Sequence, residues 1–248
     1  MPAFASPLPA LSCKAHFSLR RFMLTLRNST ELYSRQAIRD ATLISNPGCY
    51  ATNTQALLAP LAPYLDLSNP PTVFGVSGYS GAGTKAAPAG SSGSGGSKTV
   101  PKITPEDLAG GIRPYALTDH IHEREASRHL SELLGPGHED ALNVAFVPTV
   151  APWFQGIIST VSAPLNKKLT AKDVRNIFEE FYAKDELVQI GMQVPEIKDI
   201  SLKHGIKIGG FQVHSSGKRV VIVSTLDNLL KGAATQCLQV SRSRVFDL

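Results

Sequence analysis

An α+β domain, with helices on one face of a mixed and largely antiparallel sheet, is the fold class that the sequence predicts. Three observations carry it. Strand-like runs outnumber helical ones. Two of them, IKIGGFQVH and RVVIVST, flank the short turn SSGK and read as a hairpin. One strongly amphipathic helix opens at Thr170 and Asp173, with Val174, Ile177, Phe178 and Phe181 at i, i+3, i+4 and i+7. Apolar helix faces laid on one side of a sheet give this class.

The other elements follow in order. TLISNPGCY reads as a short strand ending in a tight turn, and a helix follows over 49–65. Leu57, Leu58, Leu61 and Leu65 lie on one side of it, and Pro60 and Pro63 kink it or end it early. PTVFGVSG is a buried strand running into the glycine-rich turn GYSGAG. AAPAGSSGSGGS (86–97) is of low complexity and reads as a flexible surface loop. Thr104 and Pro105 start a short helical turn, with Asp107 placed for capping. HEREASRHLSELL is helical and stops at Gly135-Pro136. NVAFVPTVAP and GIISTVSAPL read as strands paired with each other. Asp227 caps a last helix over about 228–240, apolar at Leu230, Ala233, Ala234, Cys237 and Leu238.

The 248 residues are 42% hydrophobic and 18% charged, a globular composition that rules out wholesale disorder. They are enough for one large domain or two small ones. No run approaches the roughly 18–20 apolar residues of a membrane-spanning helix. The formal net charge of +5 would fit a nucleic-acid partner, but its location argues otherwise. Residues 1–30 carry Lys14, Arg20, Arg21 and Arg27 and no acid, which leaves 21 basic against 20 acidic residues beyond them. An acid-free segment with Arg and Ser reads either as an organellar transit peptide or as an N-terminus without a targeting role. Cys13, Cys49 and Cys237 are widely spaced and form no Cys/His ligand cluster, so neither a zinc site nor a disulfide scaffold is expected.

Three clusters are candidates for chemistry. Asn46-Pro47-Gly48-Cys49-Tyr50 places a thiol at a strand-to-helix turn, where unpaired N–H groups and the positive dipole end favour a thiolate. The bland alternative is a small cysteine packed at a helix start. His120-Ile121-His122-Glu123-Arg124-Glu125 offers imidazoles that titrate near neutral pH, and Glu125 shares a helix face with His122. A solvated, acid-rich helix start reads equally from those residues. Ser77-Gly78-Tyr79-Ser80-Gly81-Ala82-Gly83 either brings backbone N–H groups to a phosphate or is a plain glycine turn; it is not the dinucleotide fingerprint.

Taken together, SNPGCYATNTQALLAPLAPYL, VSGYSGAGT, GGIRPYALTDHIHEREASRHL, FVPTVAPWFQGIISTV and STLDNLLKGAATQCLQ resemble the N-acetyl-gamma-glutamyl-phosphate reductase family. The likeness is to its fungal form, made within a mitochondrial polyprotein beside the preceding kinase. It runs in order over about residues 31–248, and NPGCY with HIHERE is specific to the family.

The resemblance implies a glyceraldehyde-phosphate-dehydrogenase-like catalytic domain over 49–226. The segment 227–248 would be a helix returning to an NADP-binding domain, of which 31–48 would be a remnant. It implies NADPH-dependent reduction of an acyl phosphate to the semialdehyde, with phosphate release through a cysteine thioester, in arginine biosynthesis. Cys49 would be the nucleophile and His120 the acid/base. Ser77, Gly78, Tyr115, His122 and Glu125 would line the substrate site. Ser80, Gly81, Ala82, Gly83 and Asn228 would contact NADP(H). No metal is implied. Where many bacterial members carry an Arg, this chain has Gln155, so no cationic phosphate contact is assigned there. The partners implied are further copies of the chain and acetylglutamate kinase, in the mitochondrial matrix.

Fewer than 50 residues precede Cys49, and none match the glycine-rich fingerprint of a nucleotide-binding half. The adenine and pyrophosphate sites are therefore expected to be missing. A catalytically deficient fragment, acting only through oligomer or partner contacts, is the competing expectation. An exposed apolar surface along the last helix would accompany it.

Overall fold

The computed structural model describes residues 46–82, 103–138 and 140–245. The expectations for the 1–30 leader, for most of the 31–48 remnant and for the 86–97 loop lie outside these residues, as do Cys13 and Gly83.

Helix α1 (Cys49–Leu58) starts directly after the NPG turn and continues as a 3-10 segment, Ala59–Tyr64. Pro60 and Pro63 lie in that segment, where their missing N–H groups end α-helical bonding. Strand β1 (Thr72–Gly78) follows, then a 3-10 turn, Tyr79–Ala82. Helix α2 (Pro105–Leu108) carries the full capping box of Thr104 and Asp107. After strand β2 (Arg113–Pro114) comes helix α3 (Ile121–Glu132). Strands β3 (Ala145–Ala151) and β4 (Ile157–Pro164) lead to helix α4 (Ala171–Phe181), capped by Thr170 and Asp173. Strand β5 (Val188–Ile190) and helix α5 (Ile197–Ile200) precede the hairpin of β6 (Ile206–Val213) and β7 (Arg219–Leu226). A π segment, Leu230–Ala234, opens the last helix, α6 (Thr235–Val245).

The seven strands form one sheet in the order β2-β3-β1-β4-β7-β6-β5. The β1–β3 and β5–β6 pairs are parallel, and the other four are antiparallel. The α+β class with a mixed, largely antiparallel sheet therefore holds. Alternation decides which face is core. Ile157, Ser159, Val161 and Ala163 of β4 are buried while Ile158, Thr160 and Ser162 are half exposed. Val174 and Phe178 of α4 insert into the core, where Phe178 meets Phe211 of β6 edge-on.

Two expectations are corrected. Strands β3 and β4 are not partners, because β1 lies between them. Periodicity marks strands but not neighbours. Here the 152–156 link passes over the end of β1, with Gly78 N–H on Gly156 O, Tyr79 N–H on Trp153 O and Ser80 N–H on Phe154 O, each at 3.0 Å. The last helix starts later than 228 and faces the other way. Ala233, Ala234, Cys237 and Leu238 are exposed, while Lys231, Gly232, Thr235, Gln236 and Val240 are buried. Its neighbour α1 presents polar side chains, so the polar face of the last helix turns inward. β2, β5 and α5 are too short to show a period in sequence.

Helix α1 is enclosed on all sides, with residues 50–58 all buried. Asn53, fully buried, donates to Ser159 Oγ at 2.9 Å and accepts from Ser224 Oγ at 2.7 Å, joining α1 to β4 and β7. The Asn53→Ala substitution breaks both bonds and leaves two buried hydroxyls unpaired, costing about 2–3 kcal/mol. Urea unfolding of the variant measures it, and a loss under about 0.5 kcal/mol would show the pair is dispensable.

Candidate active site

Gly48 is the N-cap of α1, in extended backbone, and its carbonyl takes the first helical bond from Thr52 N–H at 2.8 Å. Cys49 is the first helical residue and is half-buried. Gly48 has no side chain for capping; instead its N–H donates to Glu125 Oε1 at 3.1 Å and Oε2 at 3.4 Å. A carboxylate at a helix N-terminus is favourable, and this one pins α3 to α1. Glycine is required at 48 because a Cβ there would come within 2.0 Å of His122 Nε2. On the other side, Gly232 of the π segment leaves room for Cys49, whose Cβ a side chain there would meet at 2.6 Å.

His120 is the N-cap of α3, with Nδ1 accepting from His122 N–H at 3.2 Å. In the neutral imidazole Nε2 then carries the proton and acts as donor. The His120 ring stands edge-on to Tyr115, His122 and Phe146, at centroid distances of 5.7, 4.8 and 5.5 Å. Tyr115 is 44% exposed and stands at the mouth of this aromatic wall. Tyr50, beside Cys49, is buried and donates to Thr149 O at 2.9 Å.

Burial sets the resting charge state. It pushes the Cys49 thiol up to about 11, opposed by backbone N–H groups at Tyr50 and Cys49 and reinforced by the nearby Glu125. The thiolate expected from the helix dipole is thus not the resting form: desolvation outweighs the dipole. Burial lowers His120 to about 4, with a contribution from the Arg124 charge, and His122 to about 3, with a contribution from His120. Glu125 is raised to about 6 by burial, opposed by the Gly48 N–H. Tyr115 is raised, first by burial and then by Cys49.

The glycine-rich turn sits beside this wall. Ser77 is buried, and its hydroxyl donates to Gly78 O at 3.0 Å. Gly81 lies over it, where a Cβ would come to 2.9 Å from Ser77 Oγ. Asn228 is buried with both ends of its amide engaged, Oδ1 accepting from Gly156 N–H at 2.7 Å and Nδ2 donating to Ser80 Oγ at 2.9 Å. Gln155 donates to Asp227 Oδ2 at 2.6 Å. The N–H groups of Gly78, Tyr79 and Ser80 serve the 152–156 link, so with Asn228 they make no phosphate cradle. No group of three or more His, Cys, Asp or Glu among the described residues could hold a metal.

The profile of the semialdehyde dehydrogenase dimerisation domain matches residues 49–228. The chain belongs to the semialdehyde dehydrogenase family. That match spans Cys49, both histidines, Glu125 and Asn228. Among its relatives is "Protein arg-6, mitochondrial" of Neurospora crassa, 49% identical over 209 residues, 84% of this chain and 21% of that protein. Another is "N-acetyl-gamma-glutamyl-phosphate reductase" of Xanthomonas axonopodis pv. citri, 45% identical over 197 residues, 79% of this chain and 54% of that protein. The chain thus spans about half of the bacterial relative and about a fifth of the fungal one. Aspartate semialdehyde dehydrogenase II of Vibrio cholerae shares the fold with a TM-score of 0.65 at 19% identity, covering 86% of this chain and 66% of that one.

Several residues around the thiol lay outside the sequence reading: Gly232, Thr52, Gln236 and the Tyr50–Phe146 wall. The one signal for them was the run of polar residues 52–55 in a helix with no polar face of its own.

With Cys13 and Cys237 replaced by Ser, iodoacetamide labelling of Cys49 is expected to climb about tenfold per pH unit through pH 9 without levelling. A plateau below pH 8 would mean a preformed thiolate. His120, His122 and His129 are all lowered, to about 4, 3 and 4 from 6.5, chiefly by burial. Between pH 6.5 and 4 the unfolded chain binds more protons, so stability drops as pH falls. Glu125 opposes this between pH 6 and 4.5, one group against three. Calorimetry is expected to show Tm falling steadily from pH 7 to 4.5, and a flat Tm would contradict the burial of these rings.

Proposed function

We propose that the chain carries the acyl-transfer site of an N-acetyl-gamma-glutamyl-phosphate reductase, acting in arginine biosynthesis. The observation behind this reading is a single one: Cys49 starts α1 directly after Gly48, whose N–H is bound by Glu125 and which His122 lies against, with His120 edge-on to His122. Its substrate is an acyl phosphate, already activated for attack. Cys49 Sγ attacks the acyl carbon and gives its proton to Glu125, which at about 6 is mostly ionised at neutral pH. The S–C bond forms, the C–O bond to phosphate breaks, and phosphate leaves as a stable anion. A thioester on Cys49 remains. His120 is the acid of the pair, its Nε2–H donating to the carbonyl oxygen as charge builds there. Ser77, Gly78, Tyr115 and His122 shape the space for the acyl chain.

The hydride source is NADP(H), which when bound supplies the two electrons of the reduction. By the resemblance, Ser80, Gly81, Ala82, Gly83 and Asn228 would contact it, and Asn228 would act by holding Ser80 and Gly156 in place. The segment 227–248 meets the nucleotide-binding half through the exposed row Ala233, Ala234, Cys237 and Leu238. That row equally supports the second reading, a deficient fragment acting through contacts. A homo-oligomeric state and a mitochondrial setting belong to this proposal, supported by the dimerisation-domain match and the mitochondrial fungal relatives; the matrix and a tie to acetylglutamate kinase rest on the resemblance alone.

The first half-reaction needs no cofactor. Mixed with N-acetyl-glutamyl 5-phosphate, the chain is expected to release phosphate and gain the acyl mass on Cys49, read by intact and peptide mass spectrometry. Cys49→Ser should abolish the adduct. Glu125→Gln and His120→Gln should each slow it by about 10²–10⁴-fold. An adduct that survives in Cys49→Ser would end this reading.

A further inference from the structure

We infer that Gln236 is a positioning residue for the Cys49 thiol, tying the turn before it, the first turn of α1 and the π segment beside it into one unit. The inference rests on the proposed role of Cys49. Gln236 is fully buried, and every polar position of its amide is used. Nε2 donates to Pro47 O at 2.6 Å and to Gly232 O at 3.0 Å, while Oε1 accepts from Thr52 Oγ at 2.9 Å. Pro47 is two residues before Cys49 and Thr52 three after it. Gly232 is the residue against the Cys49 Cβ. Asn46 Nδ2, donating to Ala233 O at 3.3 Å, ties the same turn to the same segment.

The π geometry brings this about. Gly232 N–H reaches back to Asp227 O at 2.9 Å and Ala234 N–H to Leu229 O at 3.0 Å, five residues each. The wider turn carries the backbone of Gly232 against the Cys49 Cβ and sets Gln236 one turn later, under the Pro47 carbonyl. The Asn53 network differs in kind. It joins α1 to the sheet one turn further on and touches neither the NPG turn nor Gly232. Gln236 therefore acts on where the sulfur sits and how much water reaches it, through Pro47 and Gly232, without touching substrate itself.

The test is iodoacetamide labelling of Cys49 from pH 7 to 11 in the full chain lacking Cys13 and Cys237, at a temperature where circular dichroism shows each variant folded. Gln236→Met keeps the volume and removes the amide. It is expected to label at least tenfold faster at pH 8, with the midpoint of the profile at least one pH unit lower. Thr52→Val removes one of the three bonds and is expected to label about threefold faster; it carries the test should Gln236→Met not fold. Asn53→Ala, of similar cost to stability, is expected to leave the midpoint in place. Labelling of Gln236→Met within twofold of the parent would overturn the inference, as would an equal midpoint shift in Asn53→Ala. Labelling needs no substrate, so the absence of acyl transfer in the parent would strike the reductase reading and leave this result standing.

Discussion

Beyond Cys49, helix α1 has no face to water. Residues 50–58 are all buried, four of them polar, and a polar group so placed is costly unless it is hydrogen-bonded. Asn53 is satisfied by β4 and β7, and Thr52 by the last helix. These bonds fix how α1 sits on the sheet and how far it rotates, and rotation about the helix axis decides where Cys49 at its first position points. The rest of the site follows from that placement. Glu125 can reach Gly48, His122 can lie under it, and Gly232 can come up against the thiol only if α1 stands in one orientation. A site built on an enclosed helix is also a rigid one, which suits covalent catalysis.

The same enclosure controls the electrostatics. A cysteine at a helix N-terminus is commonly a thiolate, yet here burial raises it while it lowers both neighbouring imidazoles. The resting site is therefore close to uncharged apart from Glu125. A neutral thiol is protected from adventitious oxidation and alkylation, and in the proposed mechanism its proton is removed in step with attack on the acyl phosphate. That mechanism depends on a proton acceptor, and Glu125 is the carboxylate whose charge acts on Cys49.

Much of the fold was legible in sequence because its signals are local. The capping boxes of Thr104 and Thr170, the stripe of Val174 and Phe178, the two prolines that end α1 and the β6–β7 hairpin all depend on residues a few positions apart. Strand pairing does not. The β3–β4 link has the length of a hairpin, and only the presence of β1 between them, held by bonds from Gly78 to Ser80, makes it a bridge over a third strand. The orientation of the last helix likewise depended on a polar neighbour far away in sequence.

For the site, residue types alone marked Cys49, His120, His122 and Glu125 as chemistry-bearing, since each is a nucleophile, acid or base in a turn or at a helix start. The motifs NPGCY and HIHERE also carried the family. What the sequence could not contain is distance. Glu125 lies 77 residues from Gly48, and Gln236 lies 189 from Pro47. Neither contact follows from any spacing rule. The candidate reactive residues were thus legible in the sequence, while their charge state and alignment were decided by the tertiary structure, because desolvation and long-range hydrogen bonds exist only once the chain has closed around α1.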